Sequence, residues 1–202
     1  MLRPDDWEQT SSYSNTPALP VGGYVCDIIK VEEKQSKSTG RNVLHVQIDI
    51  AEGEYFQYYA KQFTRNNAPD KKWRGMVYVA TQDKDGKTLP NFKGFIESIE
   101  ESNDGWSPAW NQDTNIFCES FKNRKIGIVF GREQFKSDRN DKLYWQTKPK
   151  YFHSIDEIRS GDFNIPDDKP IEDPEKQERM NNVAQAAGFT AIEDDEKIEL
   201  PF

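Results

Sequence analysis

The amino-acid sequence predicts a mainly β protein with minor α content that ends in a long acidic tail. Three observations predict it. The run from Leu44 to Ile50 alternates Leu44, Val46, Ile48 and Ile50 with His45, Gln47 and Asp49, the period of a strand with one face buried and one face wet. Residues 125–135 repeat the alternation through Ile126, Ile128 and Phe130. Residues 162–202 carry 12 acidic and 4 basic residues, the whole of the chain's net charge of −8, so residues 1–161 are electrically balanced.

Taken in order, residues 1–20, with Ser11, Ser12, Ser14, Asn15, Pro17 and Pro20, read as an irregular arm. Gly22-Gly23 opens a Val- and Ile-rich strand over 24–33, and Ser36-Lys-Ser-Thr-Gly40 supplies the turn into the strand at 44–50. Glu52-Gly53-Glu54 predicts a tight turn into a third strand over 55–63, so that the first three strands form an antiparallel meander. Residues 64–88 are polar, with a short apolar run at 76–80. Phe92, Phe95, Ile96 and Ile99 recur at helical spacing and Asn103-Asp-Gly105 ends that helix. Two more strands follow, at 125–135 and 142–147, joined by the polar turn 137–141, then a short helix at 155–159. Past Gly161, prolines 166, 170 and 174 punctuate the tail, in which 183–189 offers a weak helix. Five strands with a helix between the third and fourth is the arrangement of an OB-fold, a five-stranded Greek-key barrel. An α+β sheet of other topology is the alternative. The expected organisation is an arm at 1–20, an OB-type domain at 21–161 and an acidic tail at 162–202.

Composition narrows the function. No apolar run approaches the ~20 residues needed to span a bilayer, and the start from Met1 to Trp7 has no apolar stretch of a secretory signal, so a cytoplasmic protein is expected. Cys26 and Cys118 are too few and too isolated for a disulfide framework. Catalytic options are thin. His45 and His153 lie far apart, no Cys or His pair has zinc-ligand spacing, and no phosphate-cradling glycine loop is present. Asp27 and Asp49, on neighbouring strands, are the best carboxylate pair for a metal-dependent nuclease, although strand solubility explains them as well. No enzyme, no cofactor and no bound metal is expected.

Binding has more behind it. Residues 121–150 hold 9 Lys/Arg against 3 acids. Aromatic residues interleave with cations, the two ingredients of a surface for single-stranded nucleic acid: cations track phosphates and aromatic faces stack unpaired bases. The residues expected to do this are Tyr55, Tyr59, Lys61, Phe63 and Arg65 around the third strand, and Lys72, Trp73 and Arg74 after it. Around the fourth and fifth strands they are Arg124, Lys125, Arg132, Lys136, Tyr144, Lys148, Lys150 and Tyr151. Alternation with Lys61 predicts that Tyr55 and Tyr59 face solvent while Phe56 and Tyr58 pack, and that Leu143 and Trp145 lie inside. The tail ends with acids Asp194, Asp195 and Glu196 and apolar Ile198, Leu200, Pro201 and Phe202, a combination suited to insertion into a partner's pocket.

That tip resembles the acidic, Ile-Pro-Phe-ending tip of bacterial and phage single-stranded DNA-binding proteins, with Leu200 in the place of the usual Ile. The stretches Pro20-Val-Gly-Gly-Tyr24, Lys37-Ser-Thr-Gly-Arg41, residues 48–55, residues 92–103 and residues 155–165 look like small phage-encoded proteins of replication and recombination modules. The region 65–110 is larger than a minimal OB-fold needs. The resemblance implies sequence-independent single-stranded DNA binding in phage or prophage replication, recombination or repair, inside the host cytoplasm. It also implies replication and recombination proteins as partners of the tip, no membrane, and room for a homo-oligomer such as a dimer. The competing expectation is a protein-interaction module with an OB-like domain and no nucleic-acid binding.

Overall fold

Burial follows the alternation of the central strands. In β2 (Asn42–Ile50), Leu44, Val46, Ile48 and Ile50 are buried between half-exposed His45 and Gln47. Their neighbour β1 (Gly22–Gln35) sets Ile28 against Ile48 and Val31 against Val46, with a bulge between Ile28 and Lys30 that turns Ile29 outward. The structure, a computed structural model, describes residues 17–36, 39–111, 113–137 and 140–171. Its other elements are α1 (Tyr58–Arg65), β3 (Met76–Ala80), α2 (Pro90–Ser102), α3 (Thr114–Glu119), β4 (Lys125–Lys136), β5 (Leu143–His153) and α4 (Ile155–Ser160). The strands form one five-stranded sheet in the order β3-β2-β1-β4-β5, every neighbouring pair antiparallel, so the protein is mainly β with a few helices.

Cross-strand partners such as Val46–Val77, Leu44–Val79 and Cys26–Ile126 are buried together, and Phe95 and Ile99 of α2 close over them with Phe121. Pro at the first position and the 3.6-residue spacing of Phe92, Phe95, Ile96 and Ile99 account for α2. Past its end, the Asn103 side chain donates to Ile99 O and Lys125 O and accepts from Lys125 N, which ties the helix to the first residue of β4.

The opposite face of β1 and β4 is covered from the C-terminal side. A Cβ on Gly23 would lie 2.6 Å from the Phe163 ring, and one on Gly127 would lie 2.5 Å from Ile158 Cγ1. Only glycine admits those side chains so close to the sheet. Helix α4 starts with a capping box between Ser154 and Glu157 and ends at Gly161, whose φ of 78° is the left-handed turn that sends the chain back. The returning strap reaches β4 where β1 has ended: Lys169 N donates to Arg132 O and Gln134 N donates to Lys169 O, both at 2.9 Å.

One expected element is overturned. Residues 55–63 do not form a strand; they form a turn and then α1, and the third strand is the apolar run Met76–Ala80. The cause is the carboxylate of Asp49, which accepts from Tyr59 N at 2.8 Å and Ala60 N at 3.1 Å and so satisfies two donors in the helix's first turn. Gln57, with φ 56°, breaks the extended chain just before it. A contact across ten residues outweighs the strand preference of Tyr and Phe. Strand β5 also runs six residues past the expected end at 147. The weak helix at 183–189 lies outside the described residues. Among the described residues, no helix is long and apolar enough to cross a membrane.

Candidate nucleic-acid interface

Cations and aromatics gather in two places. The first runs from α1 to β3. Tyr59 is 8% exposed, inside the core, against the expectation that it faces solvent. Phe56, expected to pack, is 43% exposed. Both reversals follow from the loss of the strand: Phe56 sits in the turn before α1, and within α1 side chains step by 100° per residue rather than 180°. Tyr55 and Tyr58 are half-buried in a run of edge-on ring contacts, Phe130–Tyr24–Tyr55–Tyr58–Tyr59, with centroids 5.1 to 6.3 Å apart. The arm seals this run: Tyr24 Oη donates to Pro20 O at 2.9 Å and Tyr58 Oη to Pro17 O at 2.8 Å, while Leu19 is buried. Burial pushes the Tyr24 phenol up to about 12.

Trp73 is also a packing residue. Its Nε1 donates to Ile48 O at 3.0 Å, and its ring lies 5.7 Å from that of Phe63, over which Lys71 Nζ sits at 4.5 Å. Around this apolar floor Lys61, Arg65, Lys72 and Arg74 are exposed. Lys61 Nζ reaches the carbonyl of Phe56 at 2.7 Å, and none of the four shares an ion pair with an acid among the described residues.

The second place is the β4–β5 hairpin, and here four of the cations are occupied. Lys148 Nζ lies 2.9 Å from Glu133 Oε1, Lys150 pairs with Glu133 Oε2, Lys136 lies 2.9 Å from Asp141, and Arg132 pairs with Asp168. Burial alone would raise the Glu133 carboxyl, but Lys150 and Lys148 outweigh it and hold the group below the usual carboxylate range. The hairpin's aromatics are the exposed groups. Tyr144 and Tyr151 are 40% and 52% exposed, and Trp145, expected inside with Leu143, is 41% exposed beneath the Arg132 guanidinium, 4.9 Å from its ring centroid. Leu143 is exposed as well. Their faces are as alternation predicts, but the hairpin projects past the core, so neither face is covered. Phe135 stands beside Tyr144 at 5.9 Å.

Arg124 and Lys125 belong to neither group. They are half-buried at the start of β4, Arg124 Nε has no hydrogen-bond partner among the described residues, and Lys136 lies 11 residues away, about 36 Å along the strand. The cations expected around the fourth and fifth strands are therefore not one group. The nuclease pair fares no better. Asp27 and Asp49 are register partners, but Asp49 is buried and its carboxylate accepts from Ile50, Tyr59 and Ala60 N–H groups, the work of a helix cap. Among the described residues, no cluster of three or more His, Cys, Asp and Glu is placed to hold a metal.

Sequence reasoning placed Phe56 and Trp145 in the interior, named Lys71 only as a neighbour of Trp73, and did not single out Asp168. The signal for an exposed Trp145 was its place among the cations of the two strands. The tip residues Asp194, Asp195, Glu196, Ile198, Leu200, Pro201 and Phe202 lie outside the described residues. The chain matches no protein-family model and no curated protein.

Proposed function

We propose that this chain binds single-stranded nucleic acid without base preference, as a phage or prophage single-stranded DNA-binding protein of replication or recombination. The observation that carries the reading is the edge strand β5, which presents Tyr144, Trp145 and Tyr151 to solvent with the Arg132 guanidinium on the indole. Exposed aromatics are costly on a monomer surface and are what unpaired bases stack on, at ~1–3 kcal/mol per base. The cations Lys61, Arg65, Lys72 and Arg74, which share no ion pair among the described residues, supply charge for phosphates. The arm joins the two places, since Leu19 O accepts from Thr147 on β5 while Pro17 O accepts from Tyr58 on α1.

The sheet order supports an OB-type barrel. β3 and β5 are the two edges, and bringing them together would close the five strands into a barrel, with α2 between the third and fourth strands. In this reading the acidic tail recruits replication or recombination proteins through its apolar tip.

Titrating labelled oligo-dT and the matching duplex by fluorescence anisotropy at about 50 and 200 mM salt tests the reading. Tight single-strand binding that weakens steeply with salt is expected. Equal affinity for duplex refutes it, as does no binding at the lower salt by the chain both with and without the Asp168 carboxylate that occupies Arg132. The protein-interaction alternative has one observation in its favour, a groove of about 570 Å³ between α2 and residues 109–117 lined by Phe92, Trp110 and Phe117. It predicts no oligonucleotide binding and partner capture that salt does not weaken.

A further inference from the structure

The strap lays a carboxylate on a guanidinium that sits over an exposed indole. Arg132 Nε donates to Asp168 Oδ1 at 3.1 Å and Nη2 donates to Oδ2, a two-point fork. A phosphodiester oxygen pair asks for the same two donors in the same geometry. The strap is fastened beside the fork by Lys169 N to Arg132 O, by Gln134 N to Lys169 O, and by Ile171 N to Gln134 Oε1 at 3.1 Å. Pro166 rests against Gly131. Every polar link in this set lies at the rim of the hairpin, and the ion pair itself is open to water, its side chains 47% and 40% exposed. An exposed pair of this kind is weak enough for a competing anion to replace it. The hydrogen bond from Arg132 holds the Asp168 carboxyl below the usual carboxylate range, and the carboxylate repels an approaching phosphate.

We propose that Arg132 and Trp145 form a phosphate-and-base subsite for single-stranded nucleic acid which the strap keeps occupied with Asp168, so that strand binding and strap docking exclude one another. This rests on the single-strand reading above. Strand entry exchanges one anion for another on Nε and Nη2 of Arg132, and the exposed ring of Trp145 takes the neighbouring base. Departure of the strap also frees Arg132 O and Gln134 N on the edge of β4, where β1 has ended. The occupant is a residue of the folded strap, so the competition is local and stoichiometric.

The test uses the full chain and oligo-dT at about 50 mM salt. Asp168→Asn is expected to tighten binding about threefold, the scale of one exposed ion pair. Asp167→Asn removes the same charge one residue away, where no ion pair is formed among the described residues, and is expected to give less than half that gain. In the Arg132→Gln background, which itself binds more weakly, Asp168→Asn is expected to give no gain. Saturating oligo-dT is expected to speed amide exchange at Lys169 and Gln134. If the wild type binds oligo-dT while Asp168→Asn binds equally or more weakly, or while those two amides stay protected at saturation, the exclusion is refuted and the single-strand reading stands. If neither the wild type nor Asp168→Asn binds, the single-strand reading falls and the subsite falls with it. Binding by Asp168→Asn alone supports the exclusion in its strongest form.

Discussion

Between Tyr58 and Gly75 five cations stand with one acid, and none is held in an ion pair among the described residues, whereas Arg132, Lys136, Lys148 and Lys150 of the hairpin each touch a carboxylate. The aromatics divide the other way. Tyr59 and Trp73 of the first region are committed to the core, while Tyr144, Trp145 and Tyr151 of the second are open. One region offers charge on a packed aromatic floor; the other offers rings whose cations are already answered. Net charge over a stretch of sequence is thus a poor measure of free charge, because the register of a hairpin sets Glu133 opposite Gln146 and within reach of both Lys148 and Lys150.

Gly75→Ala is the largest break in this contrast. An added Cβ would meet Ile48 O and lie 2.6 Å from Tyr59 Cδ2 and 2.8 Å from Trp73 Nε1, so the aromatic floor has no room to yield. A loss of about 3 kcal/mol in urea unfolding is expected. The matching change in the hairpin, Gly131→Ala, meets Pro166 at 2.6 Å and Lys150 at 3.0 Å, atoms on a displaceable strap and a flexible side chain. Its cost is expected to be less than half as large.

Glu133→Gln converts the hairpin toward the other type of region. It releases two lysines for phosphate, so oligo-dT affinity at low salt rises and the salt slope steepens by about 1.4, ~0.7 for each freed cation. Stability falls by about 2 kcal/mol at pH 7, since two half-buried ammoniums lose their acceptor. The pH dependence sharpens the assignment. The folded carboxyl titrates below its unfolded value, so its stabilisation is complete above the usual carboxylate range and is lost as pH falls through the depressed folded value. The wild type is expected to lose more stability than Glu133→Gln between pH 6 and pH 3, read as the shift in the urea midpoint.

Trp73→Phe separates packing from binding. It removes the hydrogen bond to Ile48 O and is expected to cost about 1 kcal/mol of stability while leaving affinity for oligo-dT unchanged. A drop in affinity without a change in stability would move Trp73 from the floor to the binding surface. The smallest effects compare single cations. Arg74→Gln is expected to lower the salt slope by ~0.7, and Lys148→Gln to leave it nearly unchanged because Glu133 already answers that charge. Equal slopes would mean that the two regions are electrostatically alike.

The sequence by itself determined β1, β2, β4 and α2, because in each the spacing of Val, Ile, Leu and Phe records which face meets the core, at period 2 or 3.6. It also located the cations and aromatics of both regions. Only the tertiary structure decided what those groups are free to do. Asp49 turned a stretch rich in Tyr and Phe into α1 by accepting hydrogen bonds from ten and eleven residues away, and the strap brought Asp168 to Arg132 across 36 residues. Neither contact leaves a local period, since each joins residues whose proximity depends on how the whole sheet is paired. Which cation is answered, and which ring is covered, is set by register and by the path of the chain.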